Sequence, residues 1–127
     1  MRILVVEDER AVREMVAAAL RGGGHVVASV GDGQRALELL HDDEEEFDLI
    51  LSDYTMPRLN GLELLRQVKA DSRTSVIPFV LTSGDVVVSD NNPKLLDEVA
   101  TKLGAARFIK KPARTSFILE VVAELKR

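Results

Sequence analysis

Residues 49–61 read Leu49-Ile50-Leu51-Ser52-Asp53-Tyr54-Thr55-Met56-Pro57-Arg58-Leu59-Asn60-Gly61, and the rest of the chain is best read outward from them. The opening residues are continuously apolar, which suits a parallel strand covered on both faces. The run ends on an acid, Asp53. Turn signals at Pro57 and Asn60-Gly61 then lead into Leu62, Leu65 and Val68 at helical spacing. The stretch is one strand, one carboxylate at its carboxyl end, and one helix returning over the sheet.

The same unit recurs on either side. Further apolar runs lie at Ile3 to Val6, His25 to Val30, Val76 to Leu81 (interrupted by Pro78) and Phe108-Ile109. Between them fall helical stripes: Val12, Met15, Val16, Ala19 and Leu20 before Gly22-Gly23-Gly24, and Ala36, Leu37 and Leu40 after Gly31-Asp32-Gly33. Leu95, Leu96, Val99 and Leu103 follow Asn92-Pro93, which reads as an N-cap with proline at the first helical position. Phe117, Ile118, Val121, Val122 and Leu125 form the last stripe. Alternation of strands and helices implies right-handed crossovers and a parallel sheet between two helical layers. The expected fold is α/β, a single doubly wound, five-stranded parallel sheet of order 2-1-3-4-5 with five helices, flavodoxin-like, in one domain over residues 1–127.

Composition removes several function classes. The 127 residues contain no cysteine and two histidines, His25 and His41, which excludes a thiolate or multi-histidine metal centre. A net charge of −4 and 4% aromatic residues argue against direct nucleic-acid binding and against acidic membranes. No apolar run approaches the ~20 residues of a membrane span, so the expected location is the cytoplasm, without membrane association. The acidic run Asp42 to Glu46 reads as a solvated loop.

In a doubly wound sheet the chemistry lies at the carboxyl ends of the strands. Those ends carry Glu7-Asp8-Glu9, Asp53, Thr82-Ser83 and Lys110-Lys111-Pro112. Clustered carboxylates repel unless a cation holds them, and an all-oxygen acidic site suits a hard divalent ion, with Mg2+ the natural candidate. A lysine and a hydroxyl opposite would hold the remaining oxygens of a phosphoryl group. The residues thus point to metal-assisted phosphoryl chemistry with a carboxylate nucleophile.

Four segments in this order, ILVVEDE at 3–9, DYTMPRLNG at 53–61, LTS at 81–83 and FIKKP at 108–112, resemble the response-regulator receiver domains of two-component signalling, over the whole chain. The resemblance implies that Asp53 is the phosphoacceptor, served by a histidine kinase or histidine phosphotransfer protein. It implies that Asp8 ligates Mg2+ directly, Glu7 holds the ion mainly through water, and Thr55 contributes its backbone carbonyl beside Asp53. Thr82 and Lys111 would bind phosphoryl oxygens, and Pro112 would follow a cis peptide bond that aims Lys111 at the site. Thr82 and Phe108 would form the switch that changes affinity for a downstream protein target. The receiver would be of stand-alone type, not a turnover enzyme beyond its own phosphorylation and dephosphorylation, and able to dimerise through its fourth and fifth helices. Thr55 and Gly84 would flank a path for water, giving a short-lived or partner-sensitive phosphate.

Three other functions fit less well. A phosphorylation-independent binding module of the same fold predicts damage to the acids, acceptor or lysine, and all are present. An aspartyl-nucleophile phosphatase needs a second acid two residues after the nucleophile, where Thr55 stands. A flavin carrier needs a phosphate-cradling loop after the first strand, where acids stand instead. The segment from Thr82 to Gly104 is longer than its relatives usually have, and its additions, Val86-Val87-Val88 and the turn residues Ser89 to Pro93, either pack back on the domain or face a partner.

Overall fold

The computed structural model describes residues 1–85, 87–88 and 94–126. The elements are β1 (Arg2–Val6), α1 (Arg10–Gly22), β2 (Val26–Val30), α2 (Gly33–Leu40), β3 (Leu49–Asp53), α3 (Gly61–Ala70), β4 (Phe79–Ser83), β5 (Val87–Val88), β6 (Lys94–Leu95), α4 (Leu96–Lys102), β7 (Arg107–Lys110) and α5 (Thr115–Leu125). One sheet runs in the order β2-β1-β3-β4-β7, all parallel, and β5 pairs β6 in a separate antiparallel ribbon. This is the expected order, with the ribbon inserted before the last strand.

Strand alternation explains why the runs are apolar throughout. Leu4, Val6, Ile50, Phe79 and Leu81 pack toward α2, α3 and α4, whereas Ile3, Val5, Leu49, Leu51, Val80 and Ile109 pack toward α1 and α5. Each side chain leaves water, whichever face it takes, so a polar residue inside these strands needs a partner, as Ser52 of β3 finds in the Asp53 carbonyl at 3.0 Å. Polar and charged residues therefore collect where the strands stop.

Several boundaries differ from the sequence reading. β4 starts at Phe79, and Val76 is 75% exposed. Pro78 has no N–H for the ladder, so the strand begins after it, although the Pro78 carbonyl still accepts from Ile50 N–H at 2.9 Å. In α1 the buried face is Val16, Ala17 and Leu20, while Met15 is 52% exposed. Phe117 likewise faces outward from α5. Leu95 does not join the α4 stripe: it lies in β6 opposite Val87, and α4 starts at Leu96 with no side-chain cap. The expected cap at Asn92-Pro93 lies outside the described residues, as do Val86 and Ser89 to Pro93. Of the inserted valines, Val88 packs on the core and Val87 is exposed. The acidic run is mostly exposed, as expected, but Glu45 pairs with Arg2 and Asp43 with Arg73.

Helix starts near the rim are better fixed. Asp32 caps α2 by accepting from Arg35 N–H at 2.8 Å. Asn60 and Glu63 form a reciprocal capping box at the start of α3. Gly61 donates its N–H to the Tyr54 carbonyl at 2.8 Å, and a Cβ on Gly61 would sit 2.4 Å from the Asp53 carbonyl oxygen. The loop carrying Asp53 closes so tightly that only glycine fits there. No helix among the described residues is long and apolar enough to cross a membrane.

Gly61→Ala is therefore expected to cost roughly 2–3 kcal/mol in urea denaturation, the scale of overpacking a tight site. Gly22→Ala, where an added Cβ meets nothing within 4 Å, is expected to be neutral or to stabilise by up to about 1 kcal/mol.

Candidate functional site

Register places the polar residues at one height. Val6 pairs with Ser52, Asp53 with Thr82, and Ser83 with Lys110. Glu7 and Asp8 leave β1 one step beyond Val6, and Lys111 leaves β7 one step beyond Lys110. Backbone bonds extend the ladders into these exits: Glu7 N–H donates to the Val30 carbonyl at 3.1 Å, and Lys111 N–H to the Ser83 carbonyl at 2.8 Å. The acids and the lysine are thus anchored to strands, not carried on free loops. The Lys111–Pro112 bond is cis, as the resemblance implied.

The side chains converge. The Lys111 ammonium donates to Glu7 Oε1 at 2.7 Å and lies 3.3 Å from Asp53 Oδ1. Glu7, Asp8 and Asp53 each offer a carboxylate oxygen within 4.8 Å of the others. Glu7 and Asp53 are 5% and 9% exposed, whereas Asp8 faces solvent. Thr82, also buried, stands beside Asp53 on the next strand. A cavity of about 400 Å3 opens on this group, reaching from Asp53, Thr82 and Lys111 to Val12 and Met15 of α1 and Ile118 of α5.

One ammonium among three carboxylates leaves the cluster short of positive charge. Burial pushes the Glu7 carboxyl from its ordinary value of 4.5 up to about 7, and Asp53 adds to the rise against the downward pull of Lys111. For Lys111, burial lowers the pKa, but the bond to Glu7 and the attraction of Asp53 outweigh it, and the net shift is upward. The lysine stays an ammonium. Among the described residues no donor reaches buried Glu7 Oε2. Converging oxygen donors, an unsatisfied buried oxygen and a charge deficit together suit a small hard dication.

The acids do not serve the helix that follows. Glu9 is the N-cap of α1 and makes no side-chain cap bond, so neither Glu7 nor Asp8 caps α1. Phe108 sits on β7, half-buried against the cluster that includes Leu96 and Ala100 of α4. Thr55 is exposed at the rim, and its hydroxyl donates to Asp85 Oδ2 at 3.2 Å. His25 and His41 lie elsewhere: His25 Nδ1 is 3.2 Å from the N-terminal amine, and His41 Nε2 is 3.7 Å from Asp71.

Two further residues belong to this rim and carry no distinctive sequence signal. Arg13 Nη1 donates to the Glu7 carbonyl at 2.8 Å and the Asp8 carbonyl at 3.5 Å, fixing the acidic turn from α1. Asp85 reaches Thr55 across the two loops beyond Asp53 and Thr82. An arginine in the first turns of a helix and an aspartate after a glycine are both common, so neither stands out in a sequence.

A family model described as "Response regulator receiver domain" matches residues 3–123. The two-component response regulator ORR5 of Oryza sativa subsp. japonica is 35% identical over 125 residues, covering 98% of this chain and 88% of that protein. The structure superposes on the chemotaxis protein CheY4 of Vibrio cholerae with a TM-score of 0.84 at 25% identity, covering 98% of each chain. The receiver domain of the sensor histidine kinase PA1611 of Pseudomonas aeruginosa PAO1 was solved with a magnesium ion coordinated in its active site cleft. It shares the fold, with a TM-score of 0.81 at 23% identity over 98% of this chain and 95% of that one.

The Glu7 shift has a measurable sign. Between 4.5 and about 7 this carboxyl holds its proton in the folded state and has lost it in the unfolded one. The unfolded state then binds fewer protons, so stability falls as pH rises through that window. In EDTA the thermal midpoint is expected to drop by a few degrees between pH 5 and 7.5, and Glu7→Gln is expected to flatten that part of the curve.

Proposed function

The chain belongs to the response regulator receiver domain family, and from that membership we propose that Asp53 is its phosphoryl acceptor, with Glu7, Asp8, Thr82 and Lys111 as the groups that serve it. The observation that carries this reading is the Lys111 ammonium held between Glu7 and Asp53, beside a cluster of three carboxylates. A module that only bound partners would gain nothing from burying acids whose charge is left partly uncompensated.

Glu7, Asp8, the Asp53 carboxylate and the Thr55 backbone carbonyl are the groups that would hold Mg2+, the ion found in the cleft of the PA1611 receiver domain. When bound, the ion supplies positive charge against the phosphoryl oxygens. The remaining steps fall to the chain. An Asp53 Oδ attacks phosphorus of a phosphohistidine on a histidine kinase or phosphotransfer protein, and the phosphorus–nitrogen bond breaks in line. The Lys111 ammonium is placed to pair with one phosphoryl oxygen and the Thr82 hydroxyl to donate to another. Because Glu7 already engages Lys111, the lysine must share itself with the incoming phosphoryl group, which weakens its hold on the acid.

The acyl phosphate adds about −1.5 to −2 of charge to the rim. Thr82 then turns toward it, and Phe108, one strand further out, repacks against α4. The output is a shift between two surface states, read by a downstream protein target or by a second copy through α4 and α5. On this reading the protein is a cytoplasmic switch with no turnover of an external substrate beyond its own phosphorylation and dephosphorylation.

Incubation with acetyl phosphate and Mg2+ is expected to add a single phosphoryl group by intact mass, and none to Asp53→Asn. Lys111→Met is expected to slow labelling by about 10²-fold, the scale of removing one charge-stabilising donor. Labelling of Asp53→Asn to the wild-type extent would overturn the assignment of the acceptor.

A further inference from the structure

The cavity at the rim has two ends, and the proposed phosphoryl chemistry uses one of them. Along a strand, residues two apart share a face. Val5 stands two before Glu7 and Leu51 two before Asp53, and Val5 pairs with Leu51 in the sheet. The bond from Glu7 N–H to the Val30 carbonyl carries the alternation past the end of β1. An apolar floor therefore runs straight into the acids on the same face of the sheet. Val16 of α1, Ile118 of α5 and Ala113 just before α5 wall that floor, and one cavity of about 400 Å3 is lined by these residues together with Glu7, Asp53 and Lys111. Met15 lines it too but is half-exposed, so it borders the opening and does not fill the arm. Neither an ion nor a phosphoryl group has a use for an apolar wall.

A space of this size, mostly apolar with a few convergent polar groups, has the makeup of a small-ligand site. The polar groups specify the head of the ligand. Glu7 is nearly fully buried, and its Oε1 accepts from Lys111, whereas among the described residues no donor reaches Oε2. Glu7 and Asp53 offer carboxylate oxygens within 4.8 Å of each other. One nitrogen can bridge that gap with hydrogen bonds of about 2.9 Å to each side. Glu9 adds a further acid to the lining, against Lys111 alone among the described lining residues. An anionic head would meet these acids, and a neutral head would leave the charge deficit as it stands. An ammonium brings three donors and a positive charge, and so answers both needs.

We propose that this cavity is a binding site for a small apolar amine, its ammonium donating to Glu7 Oε2 and Asp53 and its hydrocarbon lying along Val5, Leu51 and Ile118. Such a ligand and Mg2+ need the same two carboxylates and exclude one another. Occupancy by the amine keeps the protein unphosphorylated, which gives it a chemical input separate from its phosphodonor. Binding rests on the cavity and its charge; only the effect on signalling rests on Asp53 being the acceptor.

Hexan-1-amine, ethylamine, hexan-1-ol and hexanoate are titrated into the protein in EDTA, at about pH 8 and about 0.15 M salt to screen exposed charges, and binding is followed by amide NMR shifts. Hexan-1-amine is expected to shift Val16, Ala113 and Ile118. It is expected to bind about tenfold or more tightly than ethylamine, since each buried CH2 is worth about fourfold. The same margin is expected over hexan-1-ol, which keeps the chain but brings no charge, and hexanoate is expected not to bind. Replacing EDTA by Mg2+ is expected to raise the apparent Kd of the amine in proportion to the ion's concentration. Ala113→Leu, which fills the arm, is expected to weaken the amine about tenfold and to leave Mg2+ binding unchanged. The four compounds on wild type carry the test without any variant. No binding of the amine, equal binding of amine and alcohol, tighter binding of hexanoate, or amine binding indifferent to bound Mg2+ or to Ala113→Leu overturns the site and leaves labelling of Asp53 by acetyl phosphate as it was. A wild-type protein that binds the amine but takes no label strikes the acceptor assignment instead.

Discussion

One ammonium stands among three carboxylates, and most of this molecule can be read as the means of keeping it there. Lys111 bonds Glu7 and reaches Asp53, and without it two nearly buried acids would face each other with no positive charge between them. Leaving a buried charge unpaired is among the most damaging changes a protein can suffer, on the order of 3–5 kcal/mol when one partner is removed. Even with Lys111 the balance is incomplete, and burial, with Asp53 beside it, holds the Glu7 carboxyl above the usual carboxylate range. Such a cluster can take added positive charge, and on the proposed reading a phosphoryl group would compete for the lysine.

The sheet is what makes an arrangement of this kind stable. Its strands bury side chains on both faces, in two apolar clusters that share no residue. Their interiors are almost wholly apolar, with buried Ser52 satisfied by the Asp53 carbonyl, and Glu7, Asp53, Thr82 and Lys111 stand at or just past the positions where they end. Parallel register then brings residues far apart in sequence to a common height: Glu7 and Lys111 are separated by 104 positions and share a 2.7 Å hydrogen bond. The loops are fixed from the protein side by Gly61 against the Asp53 carbonyl and by Arg13 against the carbonyls of Glu7 and Asp8. Rigid placement on strand ends is what in-line phosphoryl transfer requires, since the chemistry depends on position more than on reactivity.

The strands, their order and the rim residues were legible in the sequence because each rests on a constraint with few solutions. A continuous apolar run between helical stripes has to be a doubly covered parallel strand, and acids closing several such runs have to meet. Details that failed did so where local signals compete. Met15 and Phe117 fit a helical stripe by spacing, yet the apolar faces of α1 and α5 are already filled by Val16, Ala17 and Leu20 and by Ile118, Val121 and Val122. Leu95 also fits a stripe, but pairing with Val87 takes it out of the helix. Pro78 moved the start of β4 because a missing N–H outweighs apolar character. Arg13 and Asp85 were invisible for another reason: their roles come from hydrogen bonds to loops, which no periodicity encodes.

The same comparison of constraints indicates where added charge at the rim acts at least cost. α2 and α3 begin with side-chain caps from Asp32 and Asn60, and a good cap is worth about 1 kcal/mol. α4 has no such cap: it spans Leu96–Lys102, begins at Leu95 without a side-chain cap bond and is entered from a ribbon of two residues per strand. Its buried residues, Leu96 and Ala100, share a cluster with half-buried Phe108, and Phe108 pairs across β4 with Leu81, next to Thr82. A rearrangement of Thr82 would therefore meet, one strand away, an aromatic ring that is not fully packed and a helix that rests on buried Leu96 and Ala100 with no side-chain cap among the described residues. Local stability is lowest where caps are missing and buried contacts are few, and such segments are the ones that conformational change uses. On the proposed reading, a rim anchored on strands beside a helix without a side-chain cap is what would let a change of one group at the site become a change of surface.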